Sequence, residues 1–106
     1  MDKGNVILNG IRSRFFLVLE ELKKLGIIGG LKGFSDRCGV DRSNIARRKN
    51  SEYGNIPTEW LVLLASHYDV STDYLLMGKG SMFTCDFDVE NQKKLQLQCK
   101  EKLRTA

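Results

Sequence analysis

Between Phe34 and Asn50 the chain reads FSDRCGVDRSNIARRKN, and from Arg42 to Lys49 it holds four basic residues and no acid. Arg42, Ser43, Asn44, Arg47, Arg48 and Lys49 bring guanidinium, hydroxyl, amide and ammonium groups into one short stretch. An arginine bonds bidentately to O6 and N7 of guanine, asparagine pairs with adenine, and serine donates or accepts. On the outer face of a short helix, such groups suit a DNA major groove. Ser35 stands four residues before Gly39, and Ile45 six after it. That spacing lets two helices cross closely about a tight turn. Ser35 removes bulk, Gly39 permits φ > 0, and Ile45 plugs the angle between the helices.

Other chemistry is poorly supplied. Cys38, Cys85 and Cys99 form an odd set without C-x-x-C spacing, so reduced thiols are expected rather than disulfides or zinc. His67 is the sole histidine; it reads as a helix-surface residue, and no Cys–His or His–His site can be built on it. Gly26-x-x-Gly29-Gly30 lacks the Lys-Ser/Thr of a nucleotide phosphate loop. Ser35 and Ser43 belong to no nucleophile motif, and neither Glu20–Glu21 nor Asp86/Asp88 looks like an acid–base couple. The expectation is a protein that is no enzyme and needs no cofactor, metal or small-molecule ligand.

The elements that must position the basic stretch can be read from periodicity. With 106 residues, 42% hydrophobic and 28% charged, there is room for one folded domain plus a small appendage. A net charge of +4 permits nucleic-acid binding without requiring it. No apolar run approaches the ~18 residues of a membrane span, and Met1–Asn9 lacks a signal peptide's pattern. A cytoplasmic protein without a membrane partner is therefore expected. Ile7, Ile11, Phe15, Val18, Leu22 and Leu25 form a helical stripe over Val6–Leu25, which Gly26, Gly29 and Gly30 end. Leu31–Cys38 and Asp41–Asn50 are the helices about Gly39, with Asp41 at an N-cap. A fourth helix starts near Pro57 and carries Trp60, Leu61, Leu64, Ala65 and Tyr68. Ser71 or Thr72 caps a fifth, Asp73–Met77, closed by Gly78-Lys-Gly80. Phe15, Phe16, Trp60 and Tyr68 fall on helical stripes and read as core rather than as base-stacking platforms. Beyond Gly80 the pattern changes. Phe83, Cys85, Phe87 and Val89 alternate with polar residues at a period of two, which predicts a strand. Asn91–Arg104 predicts a helix with Leu95, Cys99 and Leu103 on one stripe. A lone strand must find a pairing partner, such as the same segment of a second subunit. The alternative is a partly disordered tail.

FSDRCGVDRSNI and the later IPTEWLVLLASHYDVSTDYLLMGKG together resemble the helix-turn-helix domain of lambda-type phage repressors and related small bacterial regulators, from about Val6 to Gly80. The resemblance implies an all-α fold: a five-helix lambda-repressor-like DNA-binding domain over residues 1–80, with helix-turn-helix at helices 2–3. A short C-terminal strand/helix appendage follows over 81–106. It also implies that the helix from Asp41 lies in the major groove. In that family the first three residues of this helix and one a turn later read bases, here Asp41, Arg42, Ser43 and Arg47. Asn44 joins them if the helix is rolled slightly. Phosphate contacts fall to Lys49, Asn50 and Ser51, with Lys32 and Arg37 near the second helix. The family places an apolar side chain where this chain has Arg48. Either Arg48 snorkels from under the domain to a phosphate, or the helix ends early. Many phage repressors also carry a self-cleaving C-terminal domain, for which the 26 residues after Gly80 are too few. Cleavage-driven induction is not expected.

The expected function is a sequence-specific transcriptional regulator, a repressor whose homodimer covers a near-palindromic operator in double-stranded DNA. Phe83, Cys85, Phe87, Val89, Leu95, Cys99 and Leu103 are the expected dimer contacts. The rival expectation is a protein-interaction adaptor, antitoxin- or antirepressor-like, using the same helical domain.

Overall fold

The structure, a computed structural model, describes residues 3–49 and 55–105, with side chains described over 6–49 and 55–98. The described chain is all-helical: α1 (Lys3–Lys24), α2 (Leu31–Cys38), α3 (Arg42–Lys49), α4 (Thr58–Tyr68), α5 (Thr72–Met77) and α6 (Val89–Thr105). The core gathers round Phe15. Its ring meets Phe34 edge-on at 5.9 Å and Trp60 at 5.8 Å, and Phe34 lies 6.2 Å from Tyr68. Val18, Leu22, Ile45, Leu64 and Leu75 close around these rings, each fully buried. Aromatic pairs at such separations add to the gain from burying their area. The α1 stripe enters the core only from Ile11 onward. Ile7, which shares its spacing, stays 59% exposed, and Val6 and Leu8 are exposed beside it.

Each helix end has a local cause. Gly39 closes α2 at φ 71, its N–H donating to the Ser35 carbonyl at 2.8 Å. Pro57 stands just ahead of α4 rather than in its first turn. Asp69 turns the chain between α4 and α5 at φ 56, a left-handed conformation that aspartate tolerates better than most residues. Ser71 Oγ accepts from Tyr74 N–H at 3.4 Å and caps α5. At the far end of α5, Arg14 of α1 donates from Nε to the Leu75 carbonyl at 3.0 Å and from Nη2 to Leu76 at 3.1 Å. Those donors meet carbonyls that the helix itself leaves open.

The predicted strand over Phe83–Val89 does not form among the described residues. A single antiparallel bridge joins Phe83 to Val70. Ser71 N–H donates to Met82 at 2.9 Å, and Thr84 N–H to Asp69 at 2.8 Å. The chain then turns, with Phe87 N–H donating to Thr84 at 3.1 Å. That turn ends the extension the alternation implied and stacks Phe83 on Phe87 at 4.0 Å, half-buried against the core. The segment's need for backbone partners is met in part by its own α4–α5 loop.

Asp88 starts α6, its Oδ1 accepting from Glu90 N–H at 3.0 Å and Asn91 N–H at 3.4 Å. The helix lies against α2 and buries glutamine where leucine was expected. Gln92 is 1% exposed and Gln96 4%, whereas Leu95 is 36% exposed. Gln92 Oε1 accepts from Arg37 Nη1 at 2.8 Å, and its Nε2 donates to Asp69 Oδ2 at 3.0 Å. Gln96 Oε1 accepts from Tyr68 Oη at 2.9 Å, and its Nε2 donates to the Gly33 carbonyl at 2.8 Å. Burial of both amides is tolerable because each oxygen and each nitrogen has a partner. Gly33 leaves its carbonyl accessible at a crowded point, where a Cβ would come within 3.0 Å of the Ile28 side chain.

Candidate nucleic-acid interface

α3 buries one residue completely. Ile45 is fully buried, and Asn44, Ala46 and Arg48 beside it are half-buried. Arg42, Ser43, Arg47 and Lys49 are exposed. No ion pair or hydrogen bond ties the side chains of Arg42, Arg47 or Lys49 to another described residue. Asp41 caps the helix, its Oδ1 accepting from Ser43 N–H at 3.0 Å. This carboxylate also sits favourably at the positive end of the helix dipole. Ser35 Oγ donates to the Val40 carbonyl and fixes the turn that leads into α3.

Lys32, Ser35, Asp36, Asp41, Arg42 and Ser43 line an open hollow of about 360 Å³ between the starts of α2 and α3. Lys32 thus joins the expected base-reading residues on one surface. Two of the expected phosphate contacts stand elsewhere. Arg37 turns inward: its guanidinium lies 4.4 Å over the Tyr68 ring, bonds Gln92, and donates from Nη2 to the His67 carbonyl at 2.6 Å. Arg48 lies 5.2 Å over the Trp60 ring and donates to the Asn55 carbonyl. Its stem therefore crosses the core edge, as snorkelling requires, and one of its N–H groups is used by the chain itself. Asn50 and Ser51 lie outside the described residues.

The expected dimer residues divide. Phe83, Phe87 and Val89 are half-buried against their own core, while Cys85 and Leu95 are exposed. The side chains of Cys99 and Leu103 lie outside the described residues. His67 is half-buried rather than a plain surface residue. Burial lowers its pKa from the ordinary 6.5, and the nearby Arg37 guanidinium lowers it further.

Gln92, Gln96 and Arg14, which the stripes left out, set how the helices are held. The only sequence signal for the glutamines is their i, i+4 spacing on one helix face, which by itself marks nothing. Among the described residues no three His, Cys, Asp or Glu side chains come together as metal ligands. No helix among them is long and apolar enough to cross a membrane. No protein-family model, curated protein or solved structure matches the chain.

Proposed function

We propose that this protein is a cytoplasmic, sequence-specific DNA-binding regulator whose α2, Gly39 turn and α3 act as a helix-turn-helix. The observation that carries the reading is the dress of α3: Ile45 below, and Arg42, Ser43, Arg47 and Lys49 exposed above, the three basic side chains without a partner among the described residues. Basic side chains left unpaired on a firmly seated helix are available to phosphates and guanine edges at no cost in broken contacts. Arg42 and Ser43 sit at the helix start, the part of a recognition helix that meets base edges. Arg47, a turn later, reaches the same groove, and Lys32 and Lys49 flank it for phosphates.

Acting as a repressor, the protein would place two copies of α3 in successive major grooves about 34 Å apart and obstruct polymerase. Pairing two weak half-site contacts raises affinity steeply. The pairing surface is built from Cys85 and the Leu95–Cys99–Leu103 stripe of α6, whose side chains are described as far as Leu95, with the half-buried Phe83, Phe87 and Val89 behind them.

Fluorescence anisotropy against the DNA upstream of the coding sequence, with scrambled competitor and a salt series, tests this reading. Binding that resists competitor and falls steeply with salt is expected. Where upstream DNA fails, selection from a random duplex library decides. If that returns no motif, the adaptor reading replaces this one.

A further inference from the structure

A groove of about 510 Å³ runs between the α1–α2 turn and α6. Ile27 and Ile28 form its floor, Gly29 leaves the turn backbone bare, the Lys93 side chain lies over Gly26, and Lys23 and Leu97 complete the lining. A second hollow of about 320 Å³ continues it along α6 past Lys94 and Gln98. Among the described residues no carboxylate lines either one. Lys23, Lys93 and Lys94 are exposed and have no partner among the described residues. Leu97 is 60% exposed between them. Among the described residues, a leucine set amid three ammonium groups is left without a complement.

We propose that this groove docks an acidic segment of another protein, seating one apolar side chain over Leu97 and the edge of Ile28 while its carboxylates meet Lys23, Lys93 and Lys94. Charge complementarity selects such a partner, and the apolar floor gives it an anchor. A nucleic-acid strand answers only half of this chemistry. Its phosphates match the lysines, but it brings only sugar and base faces to Leu97 and no aliphatic side chain to seat in the groove. The groove shares no lining residue with the hollow at the start of α3, though Lys23 and Ile28 also line a hollow that reaches Lys49, and the peptide test reads the groove apart from DNA binding.

The test is selection of a random 16-residue peptide display library on the full-length chain. The most enriched peptide is then synthesised with a fluorophore and titrated by anisotropy and amide NMR. Enrichment of Asp and Glu about a Leu, Phe or Trp is expected, with shifts centred on Gly26, Gly29, Lys93 and Leu97. Lys93→Glu should weaken binding about tenfold by turning an attraction into a repulsion. Gly29→Asp supplies a second variant whose fold is safe. Its φ lies outside the left-handed region, and a Cβ there meets nothing within 4 Å. It places a carboxylate beside the groove and should weaken the same peptide. No enrichment, enriched peptides without acid, or affinity unchanged in both variants would overturn the proposal. So would a duplex DNA that shifts the groove amides more strongly than any peptide, which would make the lysines a phosphate track.

Discussion

α3 and α6 wear their polar residues in opposite ways. On α3 the arginines and lysine that face outward have no partner among the described residues, and a single isoleucine is fully buried. On α6 two glutamines face inward with every amide atom paired, and Leu95 and Leu97 face outward. One helix is seated by apolar burial and keeps its polar groups for something else. The other is seated by its polar groups and keeps apolar ones exposed. The lesson is that a polar side chain in a sequence says little until its partners are known. Paired, it is a fastener; unpaired, it is a candidate for function.

The seat of α3 is the place to break this contrast. Ile45→Ala removes the only fully buried side chain on the helix and should cost about 2–5 kcal/mol in urea denaturation. DNA binding, if α3 provides it, should fall with the loss of a fixed helix. A cost below about 1 kcal/mol would mean that the flanking residues hold α3 without its plug.

On α6 the corresponding break is Gln96→Leu. It adds apolar character to a buried site yet removes the bonds that the amide makes to the Tyr68 hydroxyl and the Gly33 carbonyl. Two buried hydrogen bonds are worth about 0.5–1.5 kcal/mol each, so the nominally more hydrophobic variant should be the less stable one. A more stable Gln96→Leu protein would show that hydrophobic gain outweighs the lost bonds, and the contrast between the helices would dissolve.

This difference also explains what could be read from the sequence. The helices of α1 to α5 and the Gly39 turn follow from local spacing and capping residues, so they were legible. The seating of α6 was not. The partners of Gln92 and Gln96 lie 23 to 63 residues away, on α2, α4 and the loop after α4. No periodicity within α6 encodes them. The same reason hid the fate of two arginines. Arg37 and Arg48 look like Arg42 and Arg47 in the chain, but Tyr68 and Trp60 give them internal faces to stack on. The alternation of Phe83–Val89 misled because a period of two implies a strand only while the chain stays extended, and the turn at Thr84–Phe87 ends that.

Paired and unpaired arginines should therefore separate in experiment. On the proposed reading, Arg42→Ala or Arg47→Ala should each lose about 1–3 kcal/mol of operator binding and relax preference at one base pair. Their effect on stability should stay within about 0.5 kcal/mol. Arg37→Ala should do the reverse, lowering the urea midpoint while leaving base preference unchanged. An Arg42→Ala protein with unaltered preference would show that the docking frame of α3 is shifted. Lys49→Ala gives a smaller, uniform effect: all sequences weaken alike, and the salt slope becomes shallower by about one.

The smallest effect lies where the seating of α6 meets a titrating group. Arg37, which bonds Gln92, also bonds the carbonyl of His67. Burial and the Arg37 charge both hold the His67 imidazole below its ordinary pKa of 6.5. The folded protein then binds fewer protons than the unfolded chain between that lowered value and 6.5. Stability must fall as pH drops below about 6.5 and level off once the folded imidazole is itself protonated. Urea midpoints of wild type and His67→Gln at pH 7.5 and 5.5 measure this. The wild type should lose more on acidification than the glutamine variant, which carries no imidazole. Equal losses would place the imidazole in water, away from the charge of Arg37, and would confine that arginine's role to the hydrogen bonds and the ring it covers.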